Sequence, residues 1–135
     1  MSRLRPGRPL KPFRRPWLWA GLWIAAIATV LVASLSPAPP LPPVDNSDKL
    51  GHFLAYAVLA VGAVQLYARR ASLLGAGIGL VLLGVGIEYA QGALTATRVG
   101  DPADALANTL GVIAGLATRL TPWRDALLRF DGGRR

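Results

Sequence analysis

Residues 16–35 read PWLWAGLWIAAIATVLVASL, a run without one charged side chain. As a helix rising about 1.5 Å per residue it is about 30 Å long, the thickness of a bilayer's hydrocarbon core. Three further runs lie downstream: Leu50 to Tyr67, Ser72 to Gln91 and Ala103 to Leu120. The last is the most polar, with Asp104, Asn108 and Thr109 near its start. The fold expected is all-α: a polytopic membrane protein, a bundle of four transmembrane helices with short loops.

Composition agrees. The 135 residues are 53% hydrophobic and only 16% charged, against about 25% charged in a soluble domain. The net charge of +8 would suit nucleic acid, but the basic residues flank apolar runs, so membrane topology explains them and no nucleic acid partner is expected. There is no cysteine, which excludes disulfides, thiolate zinc sites and a thiol nucleophile. No Gly-x-Ser-x-Gly elbow, P-loop or two-histidine metal motif is present, and neither metal nor cofactor is expected.

Between the first two spans, SPAPPLPPVDNS (36–47) holds five prolines and reads as an extended, exposed loop. YARRAS is a tight turn between spans two and three, and GALTATRVGDP joins spans three and four. Beyond Leu120, Thr121 can cap and Pro122 can open a helix. Trp123, Ala126, Leu127 and Phe130 then fall at helical spacing, with Arg124 and Arg129 opposite, as in a helix lying on a membrane surface. Three parts follow: a basic segment 1–15, a membrane domain 16–120 and an amphipathic basic tail 121–135.

Thirteen of the fifteen Lys and Arg fall in the amino-terminal segment, the 69–70 turn and the region from Arg119 onward; the others are Lys49 and Arg98. The positive-inside rule then puts both termini in the cytoplasm, in a plasma membrane. Trp17, Trp19, Trp23, Tyr67 and Trp123 sit where an aromatic belt would. The basic start, apolar run and VASLS also resemble a signal peptide, but the run is longer than a signal core of about 7–15 residues and the small-residue site is weak.

With that topology, polar residues from three segments share the outer leaflet. They are Asp48, Lys49, His52 and Tyr56, then Glu88 and Gln91, then Arg98, Asp101, Asp104 and Asn108. Asp48, His52 and Tyr56 are four apart and share a helix face. Asp104, Asn108, Gly111 and Gly115 form a second stripe, and Gly77, Val81, Gly84, Glu88 and Gln91 a third. Small residues let helices approach closely. Gly75 and Gly79 on another face suggest that span three packs against two neighbours.

Most of these residues also have plain roles. In DPAD, Asp101 caps a helix, Pro102 opens it, and Asp104 adds charge favourable to its amino end. Ser47 and Asp48 can begin span two, Lys49 can snorkel to the surface, Tyr56 can pack, and His52 can satisfy a helix end. Glu88 is different. It lies about a turn from the carboxyl end of its span, where the helix dipole disfavours an anion, and needs a partner or a proton. Arg98 and His52 are the cations available, and Gln91 can join them. Glu88, His52 and Asp48 are therefore candidates for acid–base chemistry, and Lys49, Gln91, Arg98, Asp101, Asp104 and Asn108 for binding.

DKLGHFLAYAVL (48–59), then GIEYAQ (86–91), then TRVGDPADALANTLGVIAG (97–115) resemble, in that order, the VanZ-like membrane proteins. The shared pattern is Asp-Lys with a nearby His-Phe, Glu-x-x-Gln, and an Arg followed by an acidic turn and Asn-x-x-Gly. It falls on Asp48, Lys49, His52, Glu88, Gln91, Arg98, Asp101 or Asp104, Asn108 and Gly111. The resemblance implies a small multi-pass protein of the cell envelope and, through the family's founding member, a link to low-level teicoplanin resistance. It names no reaction. Its expected partners are membrane lipids and a lipid-linked envelope precursor or lipoglycopeptide, bound or modified at the outer leaflet. Two other roles compete: a structural or partner-docking membrane protein, and a proton-linked transporter. Against the latter, no charge lies deep in the cytoplasmic half of any span, and no internal repeat is present.

Overall fold

The computed structural model describes residues 7–37, 47–94 and 100–133. Among these, helices dominate and no named strand forms. They are α1 (Pro16–Leu35), α2 (Ser47–Leu66), α3 (Arg70–Leu94), α4 (Pro102–Ala117) and α5 (Ala126–Asp131), with short 3-10 turns at Thr118–Leu120 and Pro122–Asp125. Three helical stretches are long and apolar enough to cross a membrane: Pro16–Leu35, Lys49–Leu66 and Arg70–Leu94. Large apolar side chains point outward from all four long helices, among them Ile24, Val58, Leu82 and Ile113. Apolar surface on every side suits lipid rather than water.

The fourth expected span is shorter than its apolar run. α4 has 16 residues; Thr118 then turns its hydroxyl to Gly115 O at 2.7 Å as the chain tightens into a 3-10 turn. Thr121 adopts an extended conformation, as the residue before a proline does. α3, in contrast, outruns its expected end by three residues, so Glu88 stands nearly two turns from the terminus rather than one.

α2 is the central element. Tyr56, Leu59 and Ala60 of α2 meet Leu80 of α3 and Val112 of α4 in the main core, with Trp23 and Ile27 of α1 packed against it. The closest approach is between α2 and α4, at the glycines of the second stripe. A Cβ on Gly111 would stand 2.3 Å from Phe53 O, and one on Gly115 would stand 2.5 Å from both Ala57 O and Ala60 Cβ. Only glycine admits this separation, the small-residue packing of membrane helices. Gly75 and Gly79 meet nothing within 4 Å; the second neighbour expected for α3 on that face is not part of this chain's described fold. α1 buries no residue and attaches through Trp23, whose indole N–H donates to Leu59 O at 2.9 Å and whose ring stands edge-on to Tyr67.

The two terminal segments, expected to be separate, dock together on the end of α2. Leu10 bridges to Tyr67, and Phe13, Leu66 and Leu128 form a second small core. The Lys11 ammonium donates to Val64 O (2.8 Å) and Arg124 O (2.5 Å) and pairs with Asp125 (2.9 Å). The tail is not the single amphipathic helix expected. Leu128 packs inward, whereas Trp123 and Phe130 are 71% and 80% exposed. Pro122 opens a 3-10 turn, and Thr121 makes no side-chain cap there, its hydroxyl bonding Thr118 O instead.

Candidate functional site

At the opposite end of α2 the expected polar cluster forms. Asp101 caps α4, its carboxylate accepting the Ala103 N–H at 2.9 Å, and Pro102 opens the helix. That bond, and then the one from Lys49, holds the Asp101 carboxyl below the usual aspartate range. From the first turns of α2, Lys49 reaches across to Asp101 at 3.0 Å and Asp104 at 3.2 Å. One turn on, both His52 ring nitrogens face oxygens: Nδ1 lies 3.1 Å from Asn108 Oδ1 and Nε2 lies 3.6 Å from Asp104 Oδ2. Asp104 and Asn108 are both buried, because the glycines below them bring α4 against α2.

Glu88 approaches from α3 and is 7% exposed. Of the two cations expected as its partner, Arg98 lies outside the described residues and His52 is not the one it bonds. Oε1 accepts the backbone N–H of Asp101, at the amino end of α4. The carboxylate disfavoured by the dipole of its own helix is thus placed against the positive end of another. Gly100 makes this possible: a Cβ there would be 3.0 Å from Glu88 O, so the chain entering α4 passes directly over α3. Among the described residues Glu88 Oε2 has no hydrogen-bond partner, and neither does the buried Tyr56 hydroxyl. Each such atom costs about 1–3 kcal/mol in a folded chain.

The remaining candidates divide. Gln91 turns toward α1, its amide donating to Ser34 O at 2.8 Å, so it ties α3 to the end of α1. Asp48 lies in the first turn of α2, with its side chain outside the described set; Arg98 lies outside the described residues altogether. His52, Glu88, Asp101, Asp104 and Asn108 are joined through Lys49 and the start of α4, as their shared layer implies. The Tyr56 hydroxyl was legible only as packing: its spacing from His52 marks the face but not that the oxygen goes unpartnered among the described residues. The Gly100 crossing carries no local signal.

An open groove flanks the cluster between α3 and α4, lined by Val85, Glu88, Tyr89, Gly92, Asp101 and Ala105 among others, with a volume of about 490 Å³. Among the described residues no group of three His, Asp or Glu side chains is placed to hold a metal ion. The arrangement offers two proton-carrying groups, His52 and Glu88, a cation fixed between two acids, and an apolar wall. Comparison with protein-family models, curated proteins and solved structures gives no match.

Proposed function

We propose that this chain is a four-span, VanZ-like protein of the plasma membrane, with both termini cytoplasmic, that binds or modifies the polar head of a lipid-linked or amphiphilic molecule at the outer leaflet. The observation that carries this reading is the meeting of Lys49, His52, Glu88, Asp101, Asp104 and Asn108, from three helices, at one end of a bundle whose outward faces are apolar. Buried polar groups in such a setting are costly and mark function. For the fourth span, α4 and its 3-10 continuation together run about 30 Å. The described parts of the two basic terminal segments dock beside the 69–70 turn at the other end of α2, which supports this orientation.

In this role Glu88 and His52, with Asp48 on the same α2 face, give and take protons. Lys49, Asp101, Asp104 and Asn108 hold them in register, Gln91 fixes α3, and Arg98 holds an anionic group. The test is profiling of lipids and envelope precursors, with susceptibility to teicoplanin, in cells carrying wild type, Glu88→Gln or no protein. Profiles that depend on wild type and revert in Glu88→Gln support the reading. Identical profiles in all three, with wild-type protein levels in the membrane, would sink it. The cap made by Asp101 and the double pairing of Lys49 favour a second, purely structural role, which expects Glu88→Gln to lose folded protein and activity together.

A further inference from the structure

We propose that the groove between the end of α3 and the start of α4 seats the primary-amine head of a membrane amphiphile, with the Glu88 carboxylate as its counter-ion. This deepens the outer-leaflet reading above and rests on it for the membrane setting. Its volume of about 490 Å³ lies within the ~300–1,000 Å³ usual for small-molecule sites, far more than a bare ion needs. Its wall is apolar except where Glu88 and Asp101 stand.

The two carboxylates differ in what they still lack. Asp101 accepts from Ala103 and pairs with Lys49. Among the described residues Glu88 accepts one backbone N–H, and its second oxygen is buried without a partner. A buried carboxylate in that state calls for a donor carrying positive charge. With Asp101 already neutralised by Lys49, a phosphate or carboxylate head would still meet the Glu88 carboxylate and be repelled. A metal ion would find no third ligand among the described residues. An ammonium with N–H donors satisfies both the charge and the free oxygen. The carboxylate turns about its last side-chain bond, a broad torsion, and Glu88 is one of the residues that line the groove.

The rest of the wall selects an amphiphile. Val85 and Tyr89 are 49% and 79% exposed and flank Glu88 along α3; an acyl chain would lie along Val85, on the side toward the middle of the helix. Near the carboxyl end of α3, a Cβ on Gly92 would meet the Gly100 backbone at 3.5 Å, an ordinary contact. Gly92 itself lines the groove, so a larger side chain there narrows it.

The test is native mass spectrometry of the full chain in non-ionic detergent, titrated with phosphatidylethanolamine, phosphatidylcholine or phosphatidylglycerol of matched chains, or with free ethanolamine. Wild type should retain phosphatidylethanolamine at least about tenfold better than phosphatidylglycerol, a difference of about 1.4 kcal/mol. Glu88→Gln should bring the two to parity, and Gly92→Leu should lower phosphatidylethanolamine retention while circular dichroism shows the helices intact. If Glu88→Gln does not fold, Gly92→Leu alone decides. Equal or better retention of phosphatidylglycerol by wild type, or a preference unchanged in every variant that folds, overturns the site. Equal retention of phosphatidylcholine, whose head has no N–H to donate, overturns the primary-amine assignment. Free ethanolamine held as well as the lipid overturns the amphiphile. Envelope profiles that respond to the protein without any amine preference leave the proposed function standing and remove this inference. An amine preference in a protein that alters no profile does the reverse.

Discussion

The two ends of α2 solve the same problem differently. At the end that receives the termini, polar groups are matched to partners. Lys11 has three acceptors. Asp131 accepts from the Arg14 backbone and the Trp19 indole. The Gln65 amide both donates to Trp123 O (2.9 Å) and accepts from Leu127 N (3.0 Å). At the other end, Glu88 and the neighbouring Tyr56 keep the buried oxygens that lack partners among the described residues. A satisfied network locks a fold; an incompletely satisfied one holds free energy that a ligand or a proton can recover. The first end is therefore read as a clamp and the second as a site.

The largest effect should come from destroying the second end through its packing. Gly111→Val places side-chain atoms where Phe53 O already stands and should destabilise the protein by about 3 kcal/mol, with little folded protein recovered from membranes. Near wild-type thermal unfolding of this variant in detergent would show that the α2–α4 contact is looser than described.

Lys11→Met tests the clamp. It leaves the Asp125 carboxylate with only the longer Arg124 pairing at 3.7 Å and strands two carbonyls, at a cost of about 2 kcal/mol, and should leave envelope profiles unchanged once folded protein is matched. If it altered those profiles at matched levels, the two ends would not be functionally separate.

Glu88→Gln should show the opposite pattern. With no cation partner among the described residues, removing the charge strands none of those described; the amide keeps an acceptor for the Asp101 N–H and relieves an unpartnered carboxylate. Stability should hold or rise by about 1 kcal/mol while function is lost. A fall in melting temperature would point instead to an ion pair.

Acid should loosen the clamp. The hydrogen bond from Lys11 holds the Asp125 carboxyl below its ordinary value. At Asp131 burial works upward, but bonds from Trp19 and from the Arg14 and Arg15 backbone prevail and its value is also lowered. Groups depressed in the folded state stabilise it fully above their unfolded values of about 3.9, and that contribution is lost as pH falls through the folded values. Tryptophan emission should therefore change below about pH 4, and less so in Asp125→Asn. A titration identical in the variant would remove Asp125 from the clamp.

The smallest effect is expected for Asp101→Asn. Asparagine caps as well as aspartate, so the Ala103 bond persists and only the exposed half of the Lys49 pairing is given up. Loss of helix by circular dichroism would show that Lys49 rather than the cap starts α4.

Much of this was legible in the chain itself. Apolar run length and helical periodicity are local properties, so Pro16–Leu35, the α2 and α3 runs, the cap at Asp101 and the glycine stripe of Gly111 and Gly115 could be read directly. So could the shared layer of His52, Glu88 and Asn108, because segments that reverse direction in a membrane bring alternate ends to one side. What only the tertiary structure decided was partnership. That Glu88 meets a backbone N–H, that Gln91 leaves for α1, that Leu128 rather than Phe130 turns inward, and that Lys11 joins two ends of the chain all depend on distances between segments far apart in sequence. Hydrophobic burial is non-directional and writes itself into composition, whereas a hydrogen bond forms only where donor and acceptor come within about 3 Å at the right angle.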